Sequence, residues 1–131
     1  MLKFTNALAS SLFVAVFIVS VANAQPSEFM IFFDFNRAQP TNEALQVAQQ
    51  AARVLKPTSL VVIEGHSDGA EGTSLAISIA RAEAIAKAFV DLGVNRARLS
   101  VTGVGNRKPL VPTDPGVREP QNRFVKVSIQ N

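Results

Sequence analysis

Hydrophobic positions fall in short blocks that switch between strand and helix spacing along the chain. Phe29-Met30-Ile31-Phe32-Phe33 is a run of β-formers, apolar on both faces, which predicts a buried strand. Asp34 to Pro40 reads as a loop, and Thr41 as the N-cap of a helix with Glu43 in its first turn. Leu45, Ala48, Ala52 and Leu55 follow at helical spacing until Lys56-Pro57 closes the element. Leu60-Val61-Val62-Ile63 is a second strand, again apolar on both faces and so expected in the sheet interior. After the turn GHSDGAEG, a long helix is predicted from Ser74 to Leu92. Its stripe is Leu75, Ile79, Ala82, Ala86 and Phe89, with Gly93 at the C-terminal cap. Leu99 to Gly103 alternates as a third strand. Gly105 to Gln121 is a long loop with four prolines, and Phe124 to Ile129 is the final strand.

This order, βαβαβ and then a long loop and β, predicts a small α/β (α+β) two-layer sandwich. About four strands form a mixed sheet packed by two main helices, and the last strand is free to pair antiparallel. Ahead of it, residues 1–24 carry one charge, Lys3, then an apolar run, then Ala22-Asn23-Ala24. That is the grammar of a secretory signal peptide with an A-x-A cleavage site, so the mature domain is expected to run from Gln25 to Asn131. The unbroken apolar stretch Leu12 to Val19 is short of the roughly 20 residues a bilayer crossing takes. An uncleaved anchor is the alternative.

The net charge is +3, and its largest basic cluster is the pair Arg107-Lys108, so no basic stripe argues for nucleic acid. There is no cysteine. Thiol catalysis, Cys-ligated metal and a lipid-bearing cysteine after the leader are all excluded, and an exported chain must hold together by packing alone.

Gly65-His66-Ser67-Asp68-Gly69 fits G-x-S-x-G, the nucleophile elbow of serine hydrolases, and it follows a strand as that motif requires. The enzymatic reading fails on counting. His66 is the single histidine and sits directly before Ser67, poorly placed to take its proton, and the helix begins several residues late. One histidine without cysteine is a thin zinc set, and Asp68 with Glu71 lacks the spacing of an EF-hand loop. No cofactor or metal is expected. His66 reads as a turn imidazole donating to a backbone carbonyl, and Gly65 and Gly69 as residues that permit tight backbone geometry.

The run Val62-Ile63-Glu64-Gly65-His66-Ser67-Asp68-Gly69, followed by Ile77-Ser78-Ile79-Ala80-Arg81-Ala82, resembles the signature of OmpA-like peptidoglycan-binding domains. That family includes the C-terminal domain of outer membrane protein A, the peptidoglycan-associated lipoprotein and the stator protein MotB. Its pattern is a strand ending in G-H-T/S-D, then a helix with L-S-x-x-R-A. Phe32 to Asn36, Leu99 to Gly105, and Asn122-Arg123 with Val125 resemble further parts of it, so the likeness runs from about Phe29 to Ile129.

The resemblance implies a non-catalytic module of the Gram-negative periplasm, associated with peptidoglycan or the outer membrane. Such a module captures the diaminopimelate of the peptidoglycan stem peptide without covalent chemistry. The distal end of that side chain is a zwitterion, needing an anion for its ammonium and a cation for its carboxylate. By resemblance these are Asp68 and Arg81, with Asp34 lining the pocket and backbone N–H groups at Gly69 and Ala70 adding donors. Ser74 stands where the family has asparagine, Phe124 where it has a second arginine, and Asp68 and Arg81 are about two residues closer together than is usual. Taken singly, Arg81 reads as a helix-surface cation and Asp68 as a turn-capping carboxylate. The alternative function is an envelope subunit that contacts other outer-membrane proteins and binds the wall weakly or not at all.

Overall fold

The computed structural model describes residues 27–131 and the isolated position Ala15; the leader and its cleavage site lie outside the described residues. The elements are β1 (Glu28–Phe32), α1 (Asn42–Arg53), β2 (Leu60–Gly65), α2 (Ser74–Asp91), β3 (Leu99–Gly103) and β4 (Phe124–Gln130), with short 3-10 turns at Arg96–Arg98 and Pro120–Asn122. The strands stand in the order β1-β4-β2-β3. β2 and β3 are parallel and joined through α2, whereas β4 runs antiparallel to both β1 and β2. The expected two-layer sandwich with a mixed sheet is thus the architecture found. The proline-rich loop carries the chain from the β3 edge back across the sheet, so the last strand fills its middle.

Both helices lie on one face of the sheet, and this decides which apolar residues are covered. The cross-strand pairs Ile31↔Val125, Ile63↔Val127 and Val61↔Ile129 belong to the buried face. The opposite face carries Glu64↔Lys126 and Val62↔Ser128. β2 is interior, as its composition predicted. β1 is an edge strand, contrary to the expectation of a buried one, and Phe32 and Leu60 on the uncovered face stay about half exposed.

The Thr41 hydroxyl accepts from the Ala44 N–H at 3.1 Å, capping α1 as predicted. The buried face of α1 is Ala44, Ala48 and Ala51, one position round from the stripe drawn through Leu45. Alanines let the helix sit close to β1, and Leu45 is left at its rim. In α2 the buried set is Ser78, Arg81, Ala82, Ile85, Ala86, Ala88 and Phe89. Ala82, Ala86 and Phe89 are as expected, but Leu75 and Ile79 are 52% and 43% exposed. The first turns of α2 approach the sheet at two glycines instead. A side chain at Gly65 would overlap the Ser78 carbonyl, and one at Gly103 the Ile79 backbone. Gly65 therefore serves close helix–sheet approach rather than turn geometry. This approach brings Arg81 under the loops that follow β1 and β2.

Candidate functional site

The β1–α1 loop, the GHSDG turn and the start of β4 meet over α2. The sheet extends into them: Phe33 N–H donates to the Arg123 carbonyl at 2.9 Å, and His66 N–H to that of Phe124 at 2.8 Å. Arg81 projects from α2 into this junction and is fully buried, so it is not the helix-surface cation it resembles in isolation. All five N–H groups of a guanidinium find acceptors here. Nε donates to the Arg37 carbonyl at 2.9 Å, Nη1 to that of His66 at 3.0 Å, and Nη2 to that of Asp34 at 3.1 Å. The remaining two go side by side to one carboxylate, Nη1 to Glu71 Oε1 at 2.7 Å and Nη2 to Glu71 Oε2.

Glu71 completes a cradle. Its Oε1 also accepts from the Asp68 N–H and its Oε2 from the Asn36 N–H, each at 2.9 Å. Four donors from three separate segments thus converge on a single carboxylate. Charge-assisted, bidentate bonds of this kind are the strong ones, and the planar fork of arginine is what permits them.

Asp68 is fully buried too. Its Oδ1 accepts from the N–H groups of Ala70 and Glu71 at 2.9 and 3.1 Å, so it does cap the turn. Its Oδ2 accepts from the Glu119 N–H at 3.1 Å and from Arg123 Nη1 at 3.0 Å. The side chains of Asp68 and Arg81 are therefore linked through other groups: Asp68 pairs with Arg123, Arg81 with Glu71, and the Asp68 backbone joins the two. Neither side chain reaches the surface, and the surrounding loops that cover them also supply the pairing and hydrogen bonds that buried charges require.

The other predicted site residues divide. Asp34 is exposed and lines a groove of about 510 Å³ together with Met30, Phe32, Val47 and Arg123. Gly69 lines a separate pocket of about 200 Å³ with Ser67, Asn106 and Asn122. The Ala70 N–H is taken up by Asp68. Ser74 opens α2, and its hydroxyl lies beside Gly105 and makes none of the cradle's hydrogen bonds. Sequence reasoning missed Glu71 as part of the site. The signal that would have found it is electrostatic: an arginine buried on a helix facing the sheet needs a counter-charge within reach, and Glu71 is an acid in the connecting turn. Arg118, stacked 3.6 Å over the Phe35 ring, was missed as well, and nothing in its proline-rich surroundings marks it.

His66 corrects a further expectation. Its Nε2 bonds Glu64 Oε1 at 2.9 Å, a side-chain partner the turn reading did not include, while the Lys108 backbone also favours the protonated ring, and the ring stacks on Phe124 with centroids 3.9 Å apart. Phe124, in the place of a second arginine, is thus the floor of the histidine. The Ser67 hydroxyl is buried without a hydrogen-bond partner, so His66 and Ser67 form no nucleophile–base pair. Among the described residues no three His, Asp or Glu side chains gather as metal ligands, and no helix is long and apolar enough to cross a membrane.

The chain is 30% identical over 109 residues to an outer membrane protein of Gluconacetobacter diazotrophicus, covering 76% of this chain and 29% of that one. It is 29% identical to the peptidoglycan-associated lipoprotein of Haemophilus influenzae, over 70% of this chain and 63% of that one. It therefore spans less than two thirds of these relatives. Among solved structures, the peptidoglycan-associated lipoprotein of Burkholderia pseudomallei superposes with a TM-score of 0.69 at 31% identity, covering 77% of this chain and 89% of the other. The C-terminal domain of Helicobacter pylori MotB shares the fold, with a TM-score of 0.67 at 18% identity over 79% of this chain and 84% of that one. The OmpA family pattern itself matches residues 32–123, which include β2, α2, β3 and every residue of the carboxylate cradle, and the chain belongs to the OmpA family.

Proposed function

We propose that this protein is a non-catalytic module of the bacterial envelope, exported to the periplasm, that holds peptidoglycan non-covalently through the diaminopimelate of the stem peptide. The observation that carries the reading is the cradle of four N–H donors around Arg81, built to receive one carboxylate. Diaminopimelate differs from lysine by a carboxylate beside its distal amine. Arg81 with the Asp68 and Asn36 N–H groups supplies that carboxylate's partners. Asp34 on the exposed rim, its carbonyl already bonded to Arg81, supplies the anionic side that an ammonium requires. Names of relatives such as the peptidoglycan-associated lipoprotein support the same reading.

A second reading, an envelope subunit that meets another protein and not the wall, draws on the occupation of the cradle by Glu71. Sedimentation with purified sacculi separates the two. Retention by naked wall is expected from the first, and a protein that stays wholly in the supernatant would leave the second.

A further inference from the structure

We infer that Glu71 is a built-in occupant of the ligand's carboxylate position, so that binding is an exchange of one carboxylate for another and the turn from Gly69 to Ser74 is the gate. The inference rests on the peptidoglycan reading above and concerns the regulation of that same site.

The cradle draws its donors from α2, from the GHSDG turn and from the β1–α1 loop, and it is filled by a side chain from none of these anchor points. Arg81 cannot be left unpaired in a buried site, so a ligand cannot enter beside Glu71; it must replace it. The released Glu71 would pass to solvent, where a carboxylate is well hydrated. Glu71 is itself buried, and the chain on its far side is tied to α2 by backbone only, through the Thr73 carbonyl. Gly72 and Thr73 are exposed, nothing lies within 4 Å of the space a Gly72 side chain would take, and the Thr73 side chain makes no capping bond to α2. On its near side the turn is pinned by Asp68, which accepts from the Ala70 and Glu71 N–H groups. The hinge therefore falls between a fixed Asp68 and a loose Gly72.

A tethered competitor acts at an effective concentration on the order of millimolar or more. The apparent affinity for an incoming carboxylate is the intrinsic affinity multiplied by the fraction of molecules in which Glu71 has already left. A ligand presented many times over on a polymer overcomes that handicap more readily than the free amino acid does.

The test titrates the protein, Glu71→Ala and Glu71→Gln with meso-diaminopimelate and, separately, with acetate. Calorimetry reads binding and circular dichroism reads the thermal midpoint. Glu71→Ala should bind diaminopimelate at least tenfold more tightly than the parent, and acetate should raise its midpoint but not the parent's. Glu71→Gln keeps a side chain of the same shape and remains informative if the alanine variant does not fold; it too should bind more tightly than the parent. Parent and folded variants binding alike, or a folded variant taking up neither compound, would overturn the gate. Sacculi report on the underlying reading independently. A parent that pellets with wall while the variants gain nothing removes the gate and keeps wall binding. Variants that take up both small carboxylates but never pellet keep the gate and remove wall binding.

Discussion

Arg81 is a buried cation with every N–H engaged, so its removal acts on stability before it acts on binding. Truncation leaves the Glu71 carboxylate buried and without its cation, a loss of about 3–5 kcal/mol where one partner of a buried pair is removed. Arg81→Ala is therefore expected to shift the urea midpoint strongly. The double variant with Glu71→Ala should lose less than the sum of the two singles, because the pair is coupled; additive losses would show that the two side chains act separately. The sequence placed Arg81 on the right helix and Asp68 in the right turn. It did not show that both are covered, because burial there comes from loop residues such as Asn36, Glu119 and Arg123, whose positions no periodicity encodes. His66 offers a second residue-scale test. Burial pushes its imidazole below the ordinary value of 6.5, outweighing the Glu64 carboxylate that pulls it up, while Lys126 adds to the lowering. The unfolded chain then takes up the proton first. The stability due to the neutral ring is present in full above pH 6.5 and is lost as pH falls below it toward the folded value. Denaturation curves should show this slope in the parent, and His66→Gln should flatten it.

Between elements, the decisive contact is where α2 meets β2 and β3 at their glycines. Gly65→Ala places a methyl group into the Ser78 carbonyl, and α2 must move away from the sheet to admit it. Overpacking of this kind costs about 1–3 kcal/mol. Because Arg81 lies less than one turn beyond Ser78, the shift should also loosen the cradle. A lower thermal midpoint together with weaker retention on sacculi is expected; a lower midpoint with unchanged retention would uncouple helix position from the site. Strand and helix positions were legible because period-2 and period-3.6 patterns and the Thr41 cap are local signals, and Gly93 takes the positive φ of +94° that a glycine after a helix permits. Helix rotation was less so. In α1 the alanines allow the apolar stripe to be drawn through Leu45 or one residue earlier, and only close approach to the sheet selects Ala44, Ala48 and Ala51. The same ambiguity misplaced Leu75 and Ile79, since a glycine opposite a helix removes the need for a large side chain in between.

For the molecule as a whole, the mixed sheet brings three segments distant in sequence to one end, and selectivity follows from what they require together. The topology was legible from element order and from the resemblance, yet the occupant of the site was not, since the pairing of Glu71 with Arg81 exists only once the loops are folded. On the proposed exchange, a ligand that reaches this site must bring a carboxylate to replace that of Glu71. Stem peptides carrying diaminopimelate do so, and peptides carrying lysine at that position offer only an ammonium, which the buried Arg81 repels. A hydrogen bond to a charged group contributes about 1.5–3 kcal/mol, so discrimination of roughly tenfold or more is expected. The measurement compares retention on sacculi from a diaminopimelate-type wall with retention on a lysine-type wall, at one protein concentration and two salt concentrations. Contacts on the exposed surface should fade with salt on both walls, whereas the exchange at Arg81, being buried, should keep its preference for diaminopimelate at high salt. Equal retention on the two walls would mean that the protein holds peptidoglycan without reading its distal carboxylate, and the cradle would then be a feature of the fold alone.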